Sequence, residues 1–252
     1  MKQLNEEFIK NSPNSETLST LKNQYISNNP FPHIVIDDMF KENILDSTVK
    51  GIKKFNNIKD DVWYKLCTLG SDFNAFGKEA QGLMNYLISS EWVDFMSKLT
   101  GIEGLTADPE WEGAGINFEP RGSHLELHTD FNQKRNGKLG WRRVNALLFL
   151  SKDWQNEWGG QNELWNKDLS ECVVSSNPEF NRLVVFTTSD ISWHGFPPVV
   201  CPEDRSRKVI SCYYYHPSDK GEHSHSKVRT TYRGWGKGRN FGGRTGTGFK
   251  EI

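Results

Sequence analysis

From Gly101 onward the chain breaks into short apolar segments, 114–118, 123–129, 142–151, 161–165, 182–188 and 207–215, most of them rich in aliphatic and aromatic residues and separated by Gly, Asn, Asp or Pro. Runs this short, punctuated by turn formers, have the length and side-chain content of strands and not of helices. A chain that makes so many strands in its second half must pack them as two sheets, and a jelly roll is the expected arrangement. Alternation at a period of two then sorts side chains by face. Along 207–213 it puts Arg207, Val209, Ser211 and Tyr213 on one side and Lys208, Ile210 and Cys212 on the other, and it groups Asn145, Leu147 and Phe149 together.

The first hundred residues read differently. Residues 1 to about 28 are polar with scattered Leu4, Phe8, Ile9, Leu18, Leu21 and Tyr25, which suits one or two short surface helices broken near Pro13. Residues 30–38 read as a strand with a turn at Asp37-Asp38, and Lys41 to Phe55 as a helix carrying Ile44, Leu45, Val49, Ile52 and Phe55. From Gly77 to Gly101 the spacing of Leu83, Leu87, Trp92, Phe95, Met96 and Leu99 is helical, with Ser90 placed to cap a helix at Glu91-Trp92 and Gly101 to end it. The expected class is mainly β with flanking helices (α+β), the helices lying on one sheet of a double-stranded β-helix. Its expected parts are an N-terminal helical extension over 1–29, a main domain over 30–232 and a Gly-rich basic tail over 233–252.

Charge and cysteine usage limit the partners. The 31 Lys+Arg against 32 Asp+Glu give no field that draws the whole chain to nucleic acid or an anionic membrane. Cys67, Cys172, Cys201 and Cys212 form no C-x-x-C pair, as suits reduced thiols, and the N-terminus lacks the apolar run of a signal peptide. No stretch reaches the ~20 apolar residues of a membrane span. The expectation is a cytoplasmic protein with a small-molecule or peptide or protein substrate, no strong nucleic-acid signal and no membrane. The tail from Arg233 to Arg244 interleaves Gly, Arg and aromatics in a way that can contact RNA, yet reads better as a loosely packed terminus.

The candidate chemistry lies in Leu125-Glu126-Leu127-His128-Thr129-Asp130, a strand ending near His128. Residues two apart on a strand point to one side, so His128 and Asp130 converge, and His194 follows the strand-like 183–186 and a turn. Two histidines and one carboxylate make the facial set that holds Fe(II) with three positions open. An Arg207 facing a sandwich interior cannot shed its proton and needs an anion, either the distal carboxylate of a bound 2-oxo acid or an internal Asp or Glu. His223 and His225 sit in a polar stretch and read as solvated. His124, four residues before His128, is expected to share its face and line the entrance. Trp193, Trp141, Arg142 and Phe131 flank the site, as substrate contacts or as ordinary packing.

The motifs Gly122-x-x-Leu125-x-x-His128-Thr129-Asp130-Phe131-Asn132, Arg143-x-Asn145-x-Leu147-Leu148-Phe149-Leu150, Gly159-Gly160, Asn181-Arg182, His194-Gly195 and Arg207-Lys208-x-x-x-x-Tyr213-Tyr214-Tyr215, in order from about residue 90 to 216, resemble the prolyl-hydroxylase-like branch of the 2-oxoglutarate/Fe(II) oxygenases. The resemblance implies that His128, Asp130 and His194 bind Fe(II), that Arg207 anchors 2-oxoglutarate and that Asn145 and Phe149 lie beside it, with O2 as second co-substrate. Phe149 and Phe118 stand where relatives often carry tyrosine, and Val209 where many carry serine; Asn145 and Ser211 are the polar groups expected to compensate. The carboxylate at Asp130 implies hydroxylation and not halogenation. The implied activity is hydroxylation of an unactivated C–H bond of a prolyl residue, free proline or a related amino acid. The reading from another class is a non-catalytic jelly-roll module that binds peptide or carbohydrate.

Overall fold

Strand pairing in the computed structural model follows the jelly-roll order. The structure describes residues 4–52, 58–62, 65–70, 76–134, 137–219, 221–225, 230–233 and 250–251. The eight strands that build the sandwich are β5 (Gly115–Pro120), β6 (His124–Thr129), β7 (Trp141–Phe149), β8 (Asn162–Trp165), β9 (Cys172–Ser176), β10 (Arg182–Thr187), β11 (His194–Phe196) and β12 (Ser206–His216). They pair antiparallel in the order β10-β7-β12-β5 on one sheet and β6-β11-β8-β9 on the other. Strand β1 (His33–Asp37) extends the first sheet beside β10, and the hairpin of β2 (Ile58–Val62) and β3 (Lys65–Gly70) joins the two sheets by pairing β3 with both β5 and β6. Two short strands, β4 (Thr106–Ala107) and β13 (Thr231–Tyr232), pair with β12 and β6, and β14 (Lys250–Glu251) pairs with β13.

Four helices among the described residues cover the outer face of the larger sheet: α1 (Ser15–Ser27), α2 (Glu42–Gly51), α3 (Lys78–Leu87) and α4 (Ser90–Thr100). The expected break near Pro13 is a helix start, because Asn14 accepts a hydrogen bond from Thr17 N at 2.8 Å and caps α1. The cap of α4 is Ser89, whose hydroxyl accepts from Trp92 N, and not the expected Ser90, which is already helical. Gly101 closes that helix at φ 73°, in the left-handed region where glycine is favoured.

The period-two sorting holds on β7, β10 and β12. Val144, Ala146 and Leu148 of β7, Leu183 and Val185 of β10 and Ile210, Cys212 and Tyr214 of β12 join Leu45, Leu83, Trp92, Phe95 and Leu99 in one helix-on-sheet core. The opposite faces put Phe149, Val184, Phe186 and Val209 inside the sandwich with Leu164. Each such fully buried apolar side chain contributes roughly 1.5–3 kcal/mol. Tyr25 ties α1 into this body through a buried 2.6 Å hydrogen bond to Thr187. Phe55 and the tail beyond Arg233, apart from 250–251, lie outside the described residues.

Candidate active site

The two sheets leave between them a cavity of about 100 Å³, lined by His128, Asp130 and His194 at one end and by Glu119, Asn162 and Arg207 among its other walls. Strand β6 delivers His128 and places Asp130 just past its end, and the antiparallel register His194↔His128 brings the third residue opposite the first. The His128 Nε2 lies 3.6 Å from Asp130 Oδ1 and the His194 Nε2 lies 3.7 Å from Oδ2. Such separations suit one ion ~2.0–2.2 Å from each atom. Among the described residues these three form the one group of His, Cys, Asp and Glu that converges in this way.

The protonation of the set is fixed from outside. His128 Nδ1 lies 2.8 Å from the Glu126 carbonyl and His194 Nδ1 2.9 Å from the Ser192 carbonyl. A carbonyl can only accept, so both Nδ1 atoms carry the proton and both Nε2 lone pairs are left for a metal. Burial, with His128 adjacent, pushes the His194 imidazole down to about 4, so it is neutral at physiological pH. Burial also pushes the Asp130 carboxyl up, but Arg142 and the two histidines outweigh it and hold the group well below the usual carboxylate range. Two imidazole Nε2 lone pairs and an ionised carboxylate on one face are a donor set that fits Fe(II).

Asp130 has two further partners. Asn145 Nδ2 donates to Oδ2 at 3.1 Å, and Arg142, fully buried, places Nη1 3.0 Å from the same oxygen. The Arg142 guanidinium is held between the rings of Phe131 and Tyr213, 3.6 Å from each centroid. Arg142 and Phe131 thus act on the carboxylate and do not line the cavity; Trp141 stacks on His223, and Trp193 packs with Leu127 and Trp165.

Several positions differ from the sequence expectation. His124 does not share a face with His128, because the β6–β11 register shifts between His194↔His128 and Phe196↔Leu125. That irregularity reverses the alternation, so Leu125 lines the cavity in place of His124. Phe118 packs toward the helix-covered core and Lys208, while its neighbour Glu119 points inward. His223 is not solvated: its side chain is 1% exposed, 2.5 Å from Asp219. Phe149 lies beneath the Arg207 guanidinium, 4.9 Å from its ring centroid, and Ser211 lines the cavity while accepting from Asn117 Nδ2 at 3.3 Å. The anion that Arg207 meets in the structure is internal, the carboxylate of Glu119. Glu119 and Asn162 escaped sequence reasoning, although alternation from Ile116 along β5 puts Asn117 and Glu119 on the inner face.

The profile of the 2OG-Fe(II) oxygenase superfamily matches residues 114–215, which hold the whole triad and Arg207. Residues 114–215, and the triad with them, are therefore similar to that superfamily. Over 129 residues the chain is 29% identical to mouse prolyl 3-hydroxylase OGFOD1, covering 50% of the chain and 22% of that protein. Over 223 residues it is 25% identical to the prolyl 3,4-dihydroxylase OGFOD1 of Ostreococcus tauri, covering 80% of the chain and 41% of the relative. The chain therefore spans less than half the length of these curated relatives. In fold it is similar to a Pseudomonas putida prolyl-4-hydroxylase, with a TM-score of 0.58 at 13% identity over 80% of this chain and 100% of that one. A Trichoplax adhaerens prolyl hydroxylase, solved with a hypoxia inducible factor peptide, gives 0.54 at 19% identity over 81% and 94% of the two chains. The jelly roll and the prolyl-hydroxylase-like branch agree with the expectation from sequence. The chain has no helix among its described residues that is long and apolar enough to cross a membrane.

Proposed function

We propose that this chain is an Fe(II)- and 2-oxoglutarate-dependent hydroxylase that acts on a prolyl residue of a peptide or protein, or on free proline or a related amino acid. The observation that carries the reading is one cavity with His128, Asp130 and His194 at one end and the buried cation of Arg207 in its wall. Prolyl hydroxylases among its relatives and fold neighbours support the substrate class.

In this reading His128 Nε2, His194 Nε2 and an Asp130 oxygen hold the iron. Bound iron supplies the redox chemistry by which O2 and 2-oxoglutarate are consumed and a C–H bond is hydroxylated, with succinate and carbon dioxide as co-products. The residues of the chain supply position and charge. Arg142 and Asn145 keep the Asp130 carboxylate ionised and aimed, and the carbonyls of Glu126 and Ser192 hold the Nδ1 protons so that both Nε2 atoms face the cavity. Arg207 supplies the charge for the distal carboxylate of 2-oxoglutarate. Asn162 Nδ2 and Asn145 Oδ1, both buried and without a hydrogen-bond partner, leave a donor and an acceptor for the same ligand. Leu125, Leu147, Phe196 and Val209 add an apolar portion to the cavity wall, beside the polar Asn117, Ser211 and Tyr213.

Anaerobic addition of Fe(II) and 2-oxoglutarate is expected to give a weak visible charge-transfer band. A screen of prolyl peptides and amino acids is then expected to show oxygen-dependent succinate release coupled to the mass gain of one oxygen atom. Arg207→Ala is expected to weaken 2-oxoglutarate binding while sparing the metal. A protein with neither band nor succinate would be a binding module and not an oxygenase.

A further inference from the structure

Arg207 and Glu119 face each other in register across β12 and β5, and both side chains are 3% exposed. Both line the cavity that holds the triad. The guanidinium is fixed on its other sides: Nε donates to the Gly160 carbonyl at 2.7 Å, and the rings of Phe196 and Phe149 stand 4.2 and 4.9 Å from its carbon. Gly160, at φ 71°, admits the arginine stem because a Cβ there would lie 2.9 Å from Arg207 Cδ. The guanidinium is thus held by the Gly160 carbonyl and two aromatic rings as well as by the Glu119 carboxylate.

A diacid that binds by its distal carboxylate meets a guanidinium whose charge is already compensated. Two carboxylates on one buried guanidinium leave an uncompensated negative charge in a small cavity, which is strongly unfavourable. One of the two must move or find another donor. Asn162 Nδ2, buried on the cavity wall without a hydrogen-bond partner, offers that donor.

We propose that Glu119 is a built-in competitor for the anion site on Arg207: its carboxylate holds the guanidinium in the empty protein, yields it when a 2-oxo diacid enters, and so sets the affinity and selectivity for the acidic co-substrate. The proposal rests on Arg207 being the co-substrate anchor, and it makes Glu119 a specificity-determining residue of the same site. It predicts that the chain discriminates a diacid from a neutral-ended 2-oxo acid less than an unopposed arginine would.

The test is calorimetric binding of 2-oxoglutarate and of 2-oxopentanoate, which lacks the distal carboxylate, to the Mn(II)-loaded full chain. Glu119→Gln is expected to tighten 2-oxoglutarate about tenfold or more and to leave 2-oxopentanoate within about twofold. Unchanged or weaker 2-oxoglutarate binding in that variant overturns the proposal. Arg207→Gln separates the two readings. If it leaves 2-oxoglutarate binding intact, the anchor assignment falls; if it weakens binding while Glu119→Gln gives no gain, the competitor alone falls. Should Glu119→Gln not fold, the wild-type ratio decides. Two charged hydrogen bonds to an unopposed guanidinium give a preference above about a hundredfold for the diacid, and that result overturns the proposal; a smaller preference supports it.

Discussion

Nη1 of Arg142 stands 3.0 Å from Oδ2 of Asp130, with the arginine side chain wholly buried and the carboxylate nearly so. A buried carboxylate of the candidate metal site is thereby balanced by a cation of the protein, gripped between Phe131 and Tyr213. Removing one member of a buried pair typically costs about 3–5 kcal/mol, because the other charge is left uncompensated. Arg142→Met is therefore expected to lower the melting temperature of the metal-free protein markedly. A divalent ion on Asp130 restores the balance, so Mn(II) is expected to raise the melting temperature of the variant more than that of the wild type. Equal metal-induced shifts in the two proteins would remove the assigned role of Arg142.

Gly195 and Gly82 should respond in opposite directions to alanine. A Cβ on Gly195 would lie 2.6 Å from the Leu125 carbonyl oxygen and 3.0 Å from that of Glu126, all of it backbone, at the point where β11 sets His194 against His128. Overpacking of this kind costs about 1–3 kcal/mol, and the strand can relieve it only by moving His194. Gly195→Ala is expected to lose both stability and Mn(II) affinity. Gly82 lies within α3, where an added Cβ would meet nothing within 4 Å, so Gly82→Ala is expected to stabilise by about 0.5–1 kcal/mol. Urea unfolding of both variants reads the two signs directly.

Tyr214 is the polar fastener of the helix-covered core. Its hydroxyl accepts from Trp92 Nε1 at 2.7 Å and donates to the Leu87 carbonyl at 3.0 Å, joining α3, α4 and β12. Tyr214→Phe leaves an indole N–H and a carbonyl buried without that partner, at about 1–3 kcal/mol. Because the site lies on the other face of the sheet, a lower melting temperature with unchanged Mn(II) affinity is the expected result, read by thermal unfolding and metal titration.

The thiols of Cys172, Cys201 and Cys212 should react in order of access. Burial pushes the Cys212 thiol up to about 12 and raises that of Cys201, so neither is a thiolate at neutral pH. Cys172 is partly exposed. Mass mapping after brief iodoacetamide treatment of the folded protein at pH 7 should find Cys172 modified ahead of the other two; early modification of Cys212 would contradict its burial.

The strands of the sandwich were legible because alternation is a local property. Once 142–151 and 207–215 are strands, the inward set Asn145, Leu147, Phe149 and Arg207, Val209, Ser211 follows from the pleat alone, and the structure keeps it. The helix boundaries were less legible: Ser89 and Ser90 are equivalent as capping residues in the sequence, and only the backbone at Ser89 settles which one caps. Strand β11 escaped for a related reason, since its hydrogen bonds are made to β6 and β8, both far from it in the sequence.

What the sequence by itself determined is the chemistry on offer: the His128, Asp130 and His194 donor set, an inward arginine at 207, and the jelly-roll pattern that brings them together. What only the tertiary structure decided is which neighbour each group meets. The register shift in β6 turned His124 away, the pairing of β5 with β12 set Glu119 on Arg207, and the packing of Phe131 and Tyr213 delivered Arg142 to Asp130. Alternation fixes the side of a strand from its own residues, whereas a charge pair depends on the register between strands far apart in the chain, which no local pattern encodes.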